Sequence, residues 1–248
     1  KWGNLMSNVL ETKALSKTYG KKENLFTALQ DVDIAIKAGE SVAILGKSGS
    51  GKSTLMHLLA LLDKPSHGKI LVNGNDAHTM DKKDLDKLRN ETFGFVFQQF
   101  FLNANDSVLS NVILPLKIAG MSTRERNRRG MAVLKAVELD DKAKNKANDL
   151  SGGQKQRVCI ARALINEPTI IFADEPTGNL DSQTGEKIEE LLFSLNKTKN
   201  ITLIIVTHDD ELAARCSRQI LLKDGKIVSK AAVSKIKKPA KTTAKKGR

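Results

Sequence analysis

The segment GKSGSGKS, residues 46–53, fits the pattern Gly-x4-Gly-Lys-Ser. Glycines at this spacing let backbone N–H groups curl around phosphate oxygens, and a helix that opens at the end of the loop adds partial positive charge. Gly46, Lys47, Ser48, Gly49, Ser50 and Gly51 would form the cradle. Lys52 would reach the terminal phosphates, and Ser53 would ligate a magnesium ion. Further on, TIIFADEP (169–176) puts two carboxylates at the end of an apolar run. Asp174 would reach the metal through water or through Ser53, and Glu175 would polarise a water for attack on the γ-phosphate. An apolar run ending in Asp-Glu is by itself an ordinary strand edge meeting solvent. Beside a phosphate loop it becomes catalytic chemistry.

His208 closes another apolar run, ITLIIVTH (201–208). It suits a γ-phosphate contact if that strand neighbours the phosphate-loop strand; a lone histidine at a strand end is otherwise structural. Gln98 follows FGFVF (93–97) and could offer its amide to the metal or to water, but spacing alone does not separate it from Gln99. Tyr19 is the single tyrosine of the chain, equally suited to stacking on a base and to a half-buried strand position. A second glycine-rich stretch, NDLSGGQKQR (148–157), has Ser151 and Gln154 at capping-box spacing, so a helix starts at Ser151. Gly152 and Gly153 then fall in its first turn, where each costs up to about 1 kcal/mol relative to alanine. They leave N–H groups uncovered at a positive helix end, a second anion site. The alternative is a glycine-rich turn before an amphipathic helix with Val158, Ala161 and Ile165 inward.

These residues need an α/β frame. SVAILG (41–46), TIIFAD (169–174) and ITLIIVTH (201–208) read as buried parallel strands, followed by helices over 52–62, 182–196 and 209–216. Ligands of such sheets bind beyond the carboxyl ends of the strands, where the motifs fall. VLETKALSKTY (9–19), ALQDVDIAIKAGE (28–40) and GKILVNG (68–74) alternate as an antiparallel sheet would, and RQILLKDGKIVS (218–229) carries an Asp-Gly hairpin turn. Residues 105–149 read as a charge-rich helical insertion. The expected fold is a P-loop NTPase core with a mostly parallel sheet, an antiparallel β-subdomain and an inserted helical subdomain over about 99–165.

The chain has 248 residues and a net charge of +13, but eight of those positive charges lie in 230–248, which holds no acid. The body is only mildly basic, so the charge does not argue for a nucleic-acid-binding fold. The tail reads as a disordered Lys-rich segment, with contact to an anionic membrane surface as one use. No apolar run approaches the roughly 20 residues that cross a bilayer. Residues 1–8 read as an extension before a domain over 9–229. Cys159 and Cys216 read as buried structural thiols.

Together the motifs resemble the ATP-binding subunit of ABC transporters. LSGGQ (150–154) is identical to that family's signature, and it stands with the loop at 46–53, the Walker B pair Asp174 and Glu175, GNLD (178–181) and His208. The resemblance covers about 9–229. It implies ATP and Mg²⁺ as ligands, Gln98 rather than Gln99 as the Q-loop residue, Tyr19 as the adenine-stacking aromatic, Asp181 in the D-loop, and Thr54 beside Ser53. It also implies that ATP sites form between two subunits placed head to tail, so that Ser151, Gly152, Gly153 and Gln154 serve nucleotide held by a second chain. A homodimer on ATP binding, a transmembrane permease partner and a place on the inner face of the cell membrane follow, with a docking surface near 99–125. Phe100, Phe101 and Leu102 are candidate apolar contacts there, or core residues of the subdomain. LLDKPSHGKI, FGFVFQQF and ADEPTGNLDSQTGEKI are most similar to the LolD/MacB group, with FtsE a close neighbour. The rival is a soluble ABC-type ATPase acting on ribosomes or nucleic acid; a single set of motifs without a long coiled coil makes nucleic acid an unlikely partner.

Overall fold

The computed structural model describes residues 8–21 and 24–228. The Lys-rich tail (230–248) and nearly all of the N-terminal extension lie outside these. The chain opens with β1 (Asn8–Tyr19), β2 (Phe26–Lys37), β3 (Ser41–Leu45) and α1 (Lys52–Leu59). Then come β4 (His67–Val72), β5 (Asn75–Asp76), α2 (Lys82–Thr92) and β6 (Phe93–Phe97). Three helices follow, α3 (Val108–Val112), α4 (Leu114–Ile118) and α5 (Thr123–Ala136). The last third holds α6 (Gly152–Leu164), β7 (Ile170–Asp174), α7 (Ser182–Lys199), β8 (Thr202–Val206), α8 (Asp210–Arg215), β9 (Arg218–Lys223) and β10 (Lys226–Val228).

One sheet is antiparallel, in the order β2-β1-β4-β5. The other runs β10-β9-β3-β8-β7-β6, with β3, β6, β7, β8 and β9 mutually parallel and β10 closing an antiparallel hairpin. This is the expected α/β fold, with β6 added at its edge. The parallel strands are buried on both faces, which is why they read as continuous Val/Ile runs. The hairpin turn takes φ 48° at Asp224 and 74° at Gly225, the left-handed pair that Asp-Gly accommodates. Helix α1 stops short of the expected end at 62, because Leu61 turns left-handed and the Leu62 N–H returns to the His57 carbonyl.

The parallel sheet divides the core in two. Val42, Ile44, Ile170, Phe172, Ile204 and Val206 point to one face and pack with the antiparallel sheet and with Leu55, Met56, Leu58 and Leu59 of α1. Ala43, Ile171, Ala173, Leu203 and Ile205 point to the other face and pack with α6, α7, α8 and the inserted helices. The period of two along each strand sends alternate side chains to opposite layers. Helix α1 and helix α6, which begin at the two glycine-rich stretches, therefore lie on opposite faces of one sheet. Cys159 and Cys216 are free and buried, and burial pushes both thiols up to about 11.

Candidate functional site

The loop 46–53 turns from β3 into α1. Gly51 caps the helix with φ 100°, a conformation that side-chain-bearing residues rarely adopt. A Cβ there would stand 2.6 Å from the Ala28 carbonyl oxygen. The Gly225 N–H of the β9–β10 hairpin donates to the Ser50 carbonyl at 3.1 Å, so the far hairpin props the loop from beneath. The Lys52 ammonium lies across the loop and donates to the Gly46 and Lys47 carbonyls at 2.8 and 3.0 Å. The Ser50 hydroxyl is buried with no partner among the described residues. Lys47, Ser48, Gly49 and Ser53 are exposed or half-buried at the rim, and Thr54 is half-buried in the first turn of α1.

Strand β8 runs beside β3 and β7 beside β8, so His208, the loop and the two carboxylates gather at one sheet end. Glu175 takes φ 44°, an unusual conformation for a glutamate and one found at functional sites. Its Oε1 meets His208 Nδ1 at 2.7 Å, and its Oε2 accepts from the Thr207 hydroxyl at 3.2 Å. The bond to His208, with the negative charge behind it, raises the His208 pKa above its ordinary value. Asp174 ends β7 half-buried; burial first, then the neighbouring Glu175 charge, raises its pKa. Gln98 follows β6, with its Nε2 donating to Asn179 Oδ1 at 3.2 Å.

Tyr19 is 39% exposed. Its hydroxyl donates to Asp63 Oδ2 at 2.9 Å, and the Lys17 ammonium sits 4.8 Å from the ring centroid while pairing with Asp63. At the second glycine stretch the capping box is formed as expected. The Ser151 hydroxyl accepts from the Gln154 N–H at 3.4 Å, and Gln154 Oε1 accepts from the Ser151 N–H at 3.0 Å. Asp181 caps α7, accepting from the Thr184 N–H at 3.0 Å. Among the described residues no hydrogen bond joins Gly46–Ser53 to Ser151–Gln154.

The family model described as ABC transporter matches residues 29–178, more than half of the chain. The chain belongs to the ABC transporter family. It is an ATP-binding subunit of that family and an ATPase. The lipoprotein-releasing system ATP-binding protein LolD of Syntrophus aciditrophicus is 47% identical over 221 residues, covering 89% of this chain and 99% of that protein. The macrolide export ATP-binding/permease protein MacB of Aggregatibacter actinomycetemcomitans is 43% identical over 94% of this chain, which spans 36% of it. The solved structure of the dimeric, post-hydrolysis ATP-binding cassette MJ0796, bound to ADP and Pi, superposes with a TM-score of 0.80 at 46% identity, covering 89% of this chain and 97% of that one.

Several residues that bond to these segments carry no motif of their own. Thr207 is buried, and its N–H donates to Ile44 on β3 at 3.3 Å while its hydroxyl reaches Glu175. Gln156, fully buried on α6, donates to the Pro176 carbonyl at 2.6 Å and the Phe97 carbonyl at 3.3 Å, next to Glu175 and Gln98. One and two turns on, the Cys159 thiol donates to the Phe100 carbonyl at 3.1 Å, and Arg162 donates to the Phe100 and Phe101 carbonyls at 3.0 and 2.7 Å. Helix α6 thus grips the turn after β6 with side chains spaced by three, which line one helix face. That spacing is the signal in the sequence that could have pointed to them. Of the three apolar candidates in this turn, Leu102 packs against the core, Phe100 is half-buried and Phe101 is 64% exposed.

Proposed function

We propose that two copies of this chain close head to tail around ATP. The loop Gly46–Ser53 of one copy holds the nucleotide, and Ser151, Gly152 and Gly153 of the other bind its γ-phosphate. The carrying observation is the placement of the two anion-seeking loops, with their helices on opposite faces of the parallel sheet and no hydrogen bond between them. Within the site Lys52 grips the phosphates, Tyr19 stacks on adenine, Thr54 lines the loop, and Glu175 with His208 orients and polarises the attacking water. Gln154 stiffens the helix start through its cap. Asp181 acts on the shared site through the loop that it anchors to α7.

A magnesium ion fits the donors present. Ser53, Asp174 and Gln98 offer hard oxygens, the ligand type that this ion prefers. Asp174 has no ion pair among the described residues, and its raised pKa marks a desolvated carboxylate suited to a cation. When bound, the ion would neutralise phosphate charge.

Closing and opening of the dimer would drive a transmembrane permease of the lipoprotein-release, macrolide- or peptide-export, or mechanotransmission type. The chain would then sit peripherally on the inner membrane face. Phe101 is the apolar contact that the turn after β6 offers to such a partner. The tail 230–248, with its eight positive charges, would add contact with anionic headgroups.

Complementation tests the shared site. Lys52→Ala removes the phosphate grip. Ser151→Asp keeps an equally good helix cap while placing a carboxylate at the anion site. Each variant alone fails to dimerise on ATP. Mixed, they form one intact site from the Lys52 loop of the second chain and the Ser151 start of the first, so ATP-dependent dimerisation returns. No return in a mixture shown by tagged pull-down to contain both chains would mean that the sites are not shared.

A further inference from the structure

Gln98 and Asn179 are bonded to each other twice. Asn179 Nδ2 donates to the Gln98 backbone carbonyl at 2.9 Å, and Gln98 Nε2 donates to Asn179 Oδ1 at 3.2 Å. The backbone carbonyl decides the orientation of both amides. It can only accept, so Asn179 must face it with its NH₂ group. That turns Asn179 Oδ1 toward the Gln98 side chain, and an oxygen there accepts only from the Gln98 NH₂. Gln98 Oε1 is thereby the atom left free of Asn179. Gly178 borders the same amide from the other side. A Cβ built on it would stand 2.8 Å from Gln98 Nε2 and 3.1 Å from Gln98 Cδ. Gly178 does not have a positive φ, so what a Cβ there would meet is the Gln98 side chain, which it would push out of its present place.

We propose that Asn179 is a positioning residue that holds Gln98 with its amide oxygen presented to the metal of the bound nucleotide. The proposal rests on the reading of Gln98 as a metal ligand. A glutamine amide has one useful face toward a cation, since the flipped amide would aim an N–H donor at positive charge. The two faces are nearly identical in shape, so packing alone does not choose between them. Asn179 chooses by chemistry, through an acceptor that admits only the NH₂ group. The loop between β7 and α7 then sets the coordinating atom at the end of β6.

Manganese binding measured by electron paramagnetic resonance, in the Glu175→Gln background with ATP bound, reads the orientation without turnover. Asn179→Ala and Gly178→Ala each weaken Mn²⁺ binding about fivefold, the scale of one lost hydrogen bond. ATP affinity in the presence of a chelator stays unchanged in both. Gln98→Glu removes the choice of face, because a carboxylate presents oxygen either way. In that variant Asn179 Oδ1 faces a carboxylate oxygen with no N–H to accept from, so Asn179→Ala brings no further loss of Mn²⁺ affinity. An equal loss from Asn179→Ala when it is combined with Gln98→Glu would overturn the proposal, as would unchanged Mn²⁺ binding in both single variants while Gln98→Ala weakens it. If Gln98→Ala leaves Mn²⁺ binding unchanged, the reading of Gln98 as a ligand falls and the proposal falls with it.

Discussion

The phosphate loop and the start of α6 both set glycines beside a helix end, but they need glycine for different reasons. Gly51 has φ 100°, and its missing Cβ would meet a backbone carbonyl at 2.6 Å. Gly153 has no positive φ, and its missing Cβ would meet the Thr184 methyl at 2.3 Å, a side chain of its own copy on α7. Next to it, a Cβ at Gly152 would come no closer than 3.3 Å to Leu180. One loop is built by conformation, with the main chain bent into a cradle that few residues can enter. The other is an ordinary capped helix whose Gly153 lets α6 and α7 approach. The reading of Gly152 and Gly153 as bare N–H donors therefore needs a second reason beside it, close packing within the subunit.

The largest expected effect requires both regions at once. Glu175→Gln should lower ATP turnover by about 10²–10⁴-fold, since a positioned base is lost while the isosteric amide keeps the nucleotide. Gel filtration with ATP should then show a stable dimer joining the two loops; wild-type turnover would remove Glu175 from the chemistry. Next, Gly51→Ala should cost roughly 2–5 kcal/mol of stability, from strain and overpacking together. Chemical denaturation measures the loss, and because the obstacle is backbone, no single side-chain substitution should restore ATP binding.

Gly153→Ala should cost less, roughly 1–3 kcal/mol. Thr184→Ser removes the methyl in the way, so the double variant should recover most of the melting temperature. A double variant no better than the single one would break the contrast between the two loops. The smallest effect is a titration. The bond to Glu175 raises the His208 pKa, so the pair is fully formed below the ordinary histidine value of about 6.5 and is lost as pH rises through the raised value. The imidazole midpoint followed by NMR should lie above about 6.5 and fall back toward it in Glu175→Gln. An unmoved midpoint would mean that the pair does not form in solution.

The strands and loops that carry the motifs were legible because their signals are local. Val/Ile runs mark β3, β7 and β8, glycine spacing marks the turn from β3 into α1, and Ser151 with Gln154 marks the cap. What was not legible joins distant positions. Asn179 and Gln98 lie 81 residues apart, and Gln156 and Phe97 lie 59 apart. No periodicity links such pairs, because the β6–β7 register brings the first together and the packing of α6 on β6 the second, and both are properties of the assembled sheet. Spacing left Gln98 and Gln99 unresolved for the same reason. Tyr19 stays open between two environments in the sequence because its hydrogen-bond partner Asp63 lies 44 residues away. Thr207 carries no motif signal beside the more reactive-looking His208, although it is the buried one of the two.

The row of α6 side chains that holds the carbonyls of Phe97, Phe100 and Phe101 leaves the turn after β6 little travel of its own. Through the Phe101 carbonyl, which accepts from Arg162, this turn is tied to α6 as to a stiff rod. From Arg162 to Gly152 that rod measures about 15 Å, at 1.5 Å per residue. Tilting it by about 10° around the Arg162 end swings Gly152 through about 2.6 Å, close to the whole length of a hydrogen bond. A small rocking at one end of the rod thus amounts to a hydrogen-bond length of travel at the other.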